Sequence, residues 1–441
     1  MAVNKTIAEL VHDTHFIDTH EHLVEESTRM GCDWSWLFNC NDFTLLFGAY
    51  THHDFLAAGM SGEDWERVAG READLGEKFR LFKPWWDKIK HTGYGLCDLL
   101  TIQRLYGEED ITRENYQRIN QKFLELAKPG FYREVLCDIA KVKACHVNAL
   151  TDIFRISEQP DLLYQDISIL DMANLPDVKR MSEKSGVEAG DLKGYKAVID
   201  WYFEAYGRRA IAVKSQAAYL RRLDFVDVSE EDAAPIFARY LKGEEFPASD
   251  LKALQDHLMR YCITKSTEYS LPVKLHTGYY AGVGHMPLSR VRQNPSDVCQ
   301  LLMDFPDTRF VFMHIGYPYQ EEMIAVAKHH DKAYIDMCWS WIINPVASVR
   351  FVKDYLMAAP HNKLFTFGGD VMQVEKVVGH AEIARRGITE ALSELVEEGW
   401  LFEKAALEMV PALMHGNAEE VFNHAGALEA ARETREPAAA L

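Results

Sequence analysis

The sequence predicts a (β/α)8 barrel, and three observations carry that expectation. Eight β-prone runs alternate with helical patterns along 441 residues. Several runs, such as 210–214 (AIAVK) and 309–314 (RFVFMH), are continuous apolar stretches, as parallel strands covered on both faces require. The residues able to do chemistry recur at the C-terminal ends of the runs, where such barrels keep their active sites. The rival is an open doubly wound sheet, but no Gly-x-Gly-x-x-Gly follows a strand and no P-loop is present. No internal repeat is visible.

The first strand is Phe16-Ile17-Asp18-Thr19-His20-Glu21-His22. Alternate side chains of a strand share a face, so His20 and His22 point one way and Glu21 the other. Asp18 lies deeper on the histidine face, where hydrogen bonding inside the core is its expected role. Residues 23–130 do not read as one βα unit. They are rich in aromatics (Trp34, Trp36, Phe38, Trp65, Trp85, Trp86), with helical patterns over 63–82 and 115–127. Inserted stretches this long are usually functional lids, so an inserted helical cap is expected.

From residue 132 the pattern becomes regular. A helix over 132–140 precedes strand 142–147, and 162–170 is a second β-rich run. Helix 191–206 leads to strand 210–214, and a smaller insertion at 223–247 carries two acidic clusters. Helix 248–269 precedes strand 272–276, helix 296–303 precedes strand 309–314, and helix 320–329 precedes strand 333–337. Helix 346–357 then leads into the last strand, 363–367, and the patterns at 380–398, 403–413 and 418–422 are helical. One barrel domain over 1–425 is therefore expected, with an Ala/Glu-rich tail over 426–441 that frays.

Composition sets bounds on partners. Hydrophobic residues make up 48% and charged residues 26%, the balance of a folded globular chain. With 48 basic against 67 acidic residues the net charge is −19, which repels phosphate backbones and anionic lipids. Neither nucleic acid nor a membrane surface is an expected partner. A small-molecule substrate is, and a homo-oligomer is what the family resemblance given below implies. The cysteines (Cys32, Cys40, Cys97, Cys137, Cys145, Cys262, Cys299, Cys338) form no Cys-x-x-Cys pair, so they read as reduced, mostly buried thiols. No apolar leader opens the chain, and a cytoplasmic protein is expected.

The candidate ligands follow the strands. His276 ends PVKLH, His314 ends RFVFMH, and Asp370 follows KLFTFGG. His276 and His314 are 38 residues apart, about one βαβ step, which needs roughly 30. Together with His20 and His22 they form a set suited to zinc or a similar divalent ion, one or two in number, with a position left for water. Lys214 ends AIAVK, where a charged ammonium beside a cation is unfavourable. Carboxylated, it would bridge two metals. Trp339 and Trp341 after strand seven, and His285 and Arg290 after strand five, lie where they could line the mouth. His52-His53 and His329-His330 have no such placing and read as surface residues.

This order resembles the amidohydrolase superfamily: His-x-His on strand one, Lys on strand four, His on strands five and six, Asp on strand eight. The stretches KLHTGYY, FMHIGYPYQEE, YIDMCWS, FTFGGDV and MHGNAEEVF resemble its amidohydrolase 2 branch. Within that branch the likeness is to nodulin-type domains, some of them fused to glutamine synthetase, and more distantly to uronate isomerase. It covers strand one and most of 210–422. The resemblance implies that His20, His22, His276 and Asp370 are metal ligands, with Lys214 added if carboxylated and His314 if two metals bind. Asp370 and His314 would be catalytic, and Arg29, Arg290 and Trp339 would contact substrate. The implied reaction is metal-assisted hydrolysis of a C–N or C–O bond. Non-oxidative decarboxylation, uronate-type isomerisation and a non-catalytic regulatory scaffold are the alternatives the same residues leave open.

Overall fold

Eight strands among the described residues form one sheet whose order is the order of the chain: β1 (Phe16–Glu21), β2 (Val142–Val147), β3 (Leu163–Ser168), β4 (Ala212–Ser215), β5 (Val273–Leu275), β6 (Phe310–Met313), β7 (Ala333–Asp336) and β8 (Leu364–Phe365). The sheet closes on itself as a (β/α)8 barrel. The Thr19 amide donates to the Phe367 carbonyl at 3.0 Å beyond β8, and the Phe16 amide donates to Lys141 at 2.9 Å at the start of β2. The computed structural model describes residues 3–32, 39–174, 176–282, 284 and 286–433. Trp34, Trp36, Phe38, His285 and the end of the tail lie outside the described residues.

The chain divides into two compact units. The first comprises Met1–Cys145, Tyr280–Pro287 and Asp336–Asn417. Its residues between β1 and β2 are helical and have a core of their own, built on Phe43, Phe47, Phe55, Phe82 and Trp86. The helix expected over 63–82 is two helices, Gly62–Ala69 and Leu75–Ile89. Ser61 and Asp74 cap their N-termini by accepting from Asp64 and Glu77 amides, so a second start signal lies inside the apparent run. His52 and His53 are half-buried in helix Thr51–Ala57 rather than on the surface. The His52 ring stacks on Trp65 at 5.0 Å, and burial pushes its pKa down to about 3.

A further expectation is corrected. Cys32 and Cys40 form a disulfide rather than two thiols. Helix Glu26–Gly31 ends on Cys32 in a left-handed conformation (φ 56°), and the two Cα atoms stand 5.8 Å apart, inside the range a bridge spans. Among the six free cysteines, Cys97, Cys145, Cys262 and Cys338 are buried as expected.

The second unit comprises His146–Tyr279, Leu288–Ile335 and Ala418–Leu441. Strands β3 to β6 pair in parallel, with Ser168 opposite Lys214 and Lys214 opposite Lys274. The acidic cluster at Glu230-Glu231-Asp232 is the first turn of helix Glu230–Leu241, where negative charge complements the helix dipole. The tail does not fray from residue 426: helix His424–Glu433 continues it, with Ala427 and Ala430 buried. No described helix is long and apolar enough to cross a membrane.

Candidate metal centre

In the first unit, β1 and the loop after β8 bring three donors together. The Nε2 atoms of His20 and His22 lie 3.1 and 3.2 Å from the same Asp370 oxygen, Oδ1. The strand period puts the two rings on one face, edge to face at 4.7 Å. His20 is fully buried and the His22 side chain is 13% exposed, so the cluster has one wet side. All three donor atoms lie within 4.8 Å of one another. Two imidazole nitrogens and a carboxylate oxygen converging at such range fit a divalent ion of the zinc type.

The Asp370 loop is held from several directions. Asp370 itself has φ 53°, a left-handed conformation that Asp and Asn tolerate better than most residues. Its amide donates to the His20 carbonyl at 2.8 Å, and its carbonyl accepts from the Tyr50 hydroxyl. The next amide, Val371, donates to the Glu21 carboxyl at 2.7 Å, and the Gly369 amide donates to Asp18. Glu21 therefore points away from the histidines, as the alternation requires, and supports the loop from behind. Burial, with Asp18 and Asp370 close by, pushes its carboxyl well above the usual range. His380 donates from Nδ1 to the Gly369 carbonyl at 3.1 Å, and burial lowers its pKa to about 3, leaving a neutral ring.

This packing explains FTFGGD. A Cβ at Gly369 would lie 1.8 Å from Glu21 Oε1, and one at Gly368 would meet Cys338 Sγ at 2.9 Å. Gly369→Ala is therefore expected to displace Asp370 and lower turnover about 10²-fold, the cost of misplacing a reacting group by about 1 Å. Steady-state kinetics beside a circular-dichroism spectrum check it: full turnover by a folded variant would remove the loop from the site.

In the second unit, His276 and His314 pair with each other. His276 Nε2 donates to the Tyr279 carbonyl at 2.9 Å, so its Nδ1 accepts from His314 Nε2 at 3.0 Å. A neutral His314 then presents Nδ1 as a lone pair, fit to ligate a cation or accept a proton. Lys214 is 1% exposed in β4, level with Lys274 of β5.

The residues expected at the substrate all have partners within the chain. Arg29 is buried and ion-paired with Glu375 at 2.6 Å, its guanidinium over the rings of Phe123 and Phe131. Arg290 donates to the carbonyls of Tyr219 and Leu220 at 2.6 and 3.1 Å, tying loop to loop. Trp339 is fully buried, stacked on Tyr50 at 4.5 Å, and Trp341 is buried with its indole donating to Thr366. Sequence reasoning missed Tyr50, which no motif marks. It also missed the support role of Glu21, although its place between the two histidines was a signal.

The fold and the donor cluster together define a (β/α)8 barrel with a candidate divalent-metal centre at the strand ends. The chain belongs to the amidohydrolase family: that family's model matches residues 155–423. Membership marks it as an enzyme and places it in the amidohydrolase superfamily. Over 137 residues it is 27% identical to Protein fluG of Emericella nidulans, the match covering 29% of this chain and 15% of that protein. Its fold resembles uronate isomerase of Thermotoga maritima (TM-score 0.76, 15% identity, 95% of this chain and 96% of that one). It also resembles glucuronate isomerase of Caulobacter crescentus (TM-score 0.77, 16% identity, 99% and 95%). A protein assigned as a metal-dependent hydrolase from Lactobacillus casei matches at TM-score 0.64, 16% identity, 97% and 99%. At these identities the likeness is one of fold.

Proposed function

We propose that this chain is a metal-dependent hydrolase acting on a C–N or C–O bond (amide, amidine or lactone) of a small polar molecule, with zinc as the metal. The observation that supports this most directly is the shared approach of His20 and His22 to one oxygen of Asp370. A metal held there supplies a water acidified to a pKa of about 7. The chain's own residues do the rest. His20 and His22 would hold the ion, and Asp370 would accept the proton of the attacking water and return it to the leaving group. Glu21, Asp18 and Tyr50 keep the Asp370 backbone in place while the carboxylate changes charge. His314, with Nδ1 as lone pair, is a second ligand or base, and Lys214 joins the centre if carboxylated.

The test is a metal analysis of the purified protein followed by a substrate screen. Expected are a bound divalent ion, turnover abolished by a chelator and restored by zinc, and release of free amine or acid. Carbon dioxide release would transfer the reading to a decarboxylase, and a reducing-sugar shift to an isomerase. Retained activity without metal, or a wild-type phenotype for His20→Ala, would end the metalloenzyme reading.

A further inference from the structure

We propose that helix His424–Glu433 is latched to the strands of the second unit by a histidine relay that holds only while both of its imidazoles are neutral. The relay starts at a buried ion pair: the Lys274 ammonium donates to both oxygens of Asp166, at 3.0 and 2.9 Å, with both side chains fully buried. Lys274 Nζ also lies 3.3 Å from Nδ1 of His146, which is itself fully buried. An ammonium only donates, so His146 Nδ1 accepts and a neutral His146 carries its proton on Nε2. That nitrogen faces Nε2 of His424 at 2.7 Å. At the far end, His424 Nδ1 lies 3.1 Å from the Phe422 carbonyl. A carbonyl only accepts, so His424 carries its proton on Nδ1 and offers Nε2 as the acceptor. Every link is satisfied by one assignment of tautomers: His146 Nε2–H and His424 Nδ1–H.

The assignment leaves no room for another proton. On His146 it would set N–H against the Lys274 ammonium, and on His424 it would set N–H against N–H. The helix also has an exposed ion pair, Glu433 with Arg208 at 3.7 Å, of a kind worth little. It is ten residues long, too short to be stable alone, and its buried side chains are the alanines Ala427 and Ala430. Solvent reaches the relay through His424, which is half-buried and lines an open groove with Glu419, Glu420 and Arg309. Other ionisable neighbours are Tyr164 of β3, 5.0 Å from the His424 ring, Arg208 and Glu429 along the groove, and Arg432 of the helix, which acts on Tyr164. Neither tyrosine nor arginine changes charge in mild acid, and a carboxylate that gains a proton there does so below the imidazole range of about 6.5.

The sign follows directly. Opening the latch frees both rings to take protons, so acid favours the open form, and each ring contributes up to tenfold per pH unit below about 6.5. Hydrogen exchange of the full-length protein tests this. Amides of 424–433, corrected for intrinsic exchange, should lose at least tenfold protection between pH 7.5 and pH 5.5. That pH effect should vanish in His146→Gln/His424→Gln. Protection that is equal at both pH values, or a pH effect that survives the double substitution, overturns the proposal. Should the double variant not fold, nitrogen NMR of histidine-labelled wild type decides: at pH 7.5 His146 must be the Nε2–H tautomer and His424 the Nδ1–H tautomer. Any other pair of protonation states rejects the relay.

Discussion

Asp370→Asn is expected to lower turnover about 10³-fold, within the 10²–10⁴ range that proton transfer by a positioned side chain contributes. Asparagine suits the test because it keeps the shape and, like aspartate, tolerates the left-handed backbone (φ 53°) at this position. The amide of residue 370 still donates to His20, and its carbonyl still accepts from Tyr50, because both contacts are made by the main chain. The fold should therefore survive, with an unchanged circular-dichroism spectrum and thermal midpoint. What is lost is an anionic oxygen shared by His20 and His22, and with it a group that can take and return a proton. Metal content should fall as well as kcat, since an amide oxygen is a weaker ligand than a carboxylate. Turnover within threefold of wild type would remove Asp370 from the chemistry.

The donor cluster was legible because it depends on regularities local to the chain. Two histidines one residue apart share a face only in a strand, and the apolar run Phe16–Ile17 before them makes the strand. His276, His314 and Asp370 were singled out for a related reason: each follows the last residues of a β-run. The supports behind the cluster were less legible. Glu21 could be placed facing away, but its partner is the amide of Val371, 350 residues on, and no periodicity reports that. The relay of His146 and His424 spans 278 residues for the same reason. Cys32 and Cys40 were misread because a separation of eight forms no recognised motif, and the pairing depends on how the fold brings the two Cα atoms to 5.8 Å. The terminal helix was misread because ten residues are too few to hold a helix alone, and its order comes from what it touches.

Arg29 shows the limit most clearly, and it makes the second large prediction. A lone arginine in an inserted cap reads as a substrate contact, since its partner Glu375 is 346 residues away in the chain. In the fold both side chains are almost wholly buried, 3% and 1% exposed, and adjacent Lys376 also reaches into the cap, donating to the Leu46 carbonyl at 2.8 Å. Glu375 and Lys376 together fasten the segment after Asp370 to the helices between β1 and β2. Removing one partner of a buried pair leaves the other charge unsolvated, at a cost of about 3–5 kcal/mol. Arg29→Ala should therefore lose about that much stability in urea denaturation, while KM of the folded enzyme stays within twofold. A substrate contact predicts the reverse, a tenfold higher KM at unchanged stability. The double substitution Arg29→Met/Glu375→Met separates the two further. Replacing both partners by apolar side chains removes the stranded charge, so it should recover more than half of the lost stability. No such recovery is available to a residue whose task is to hold a ligand.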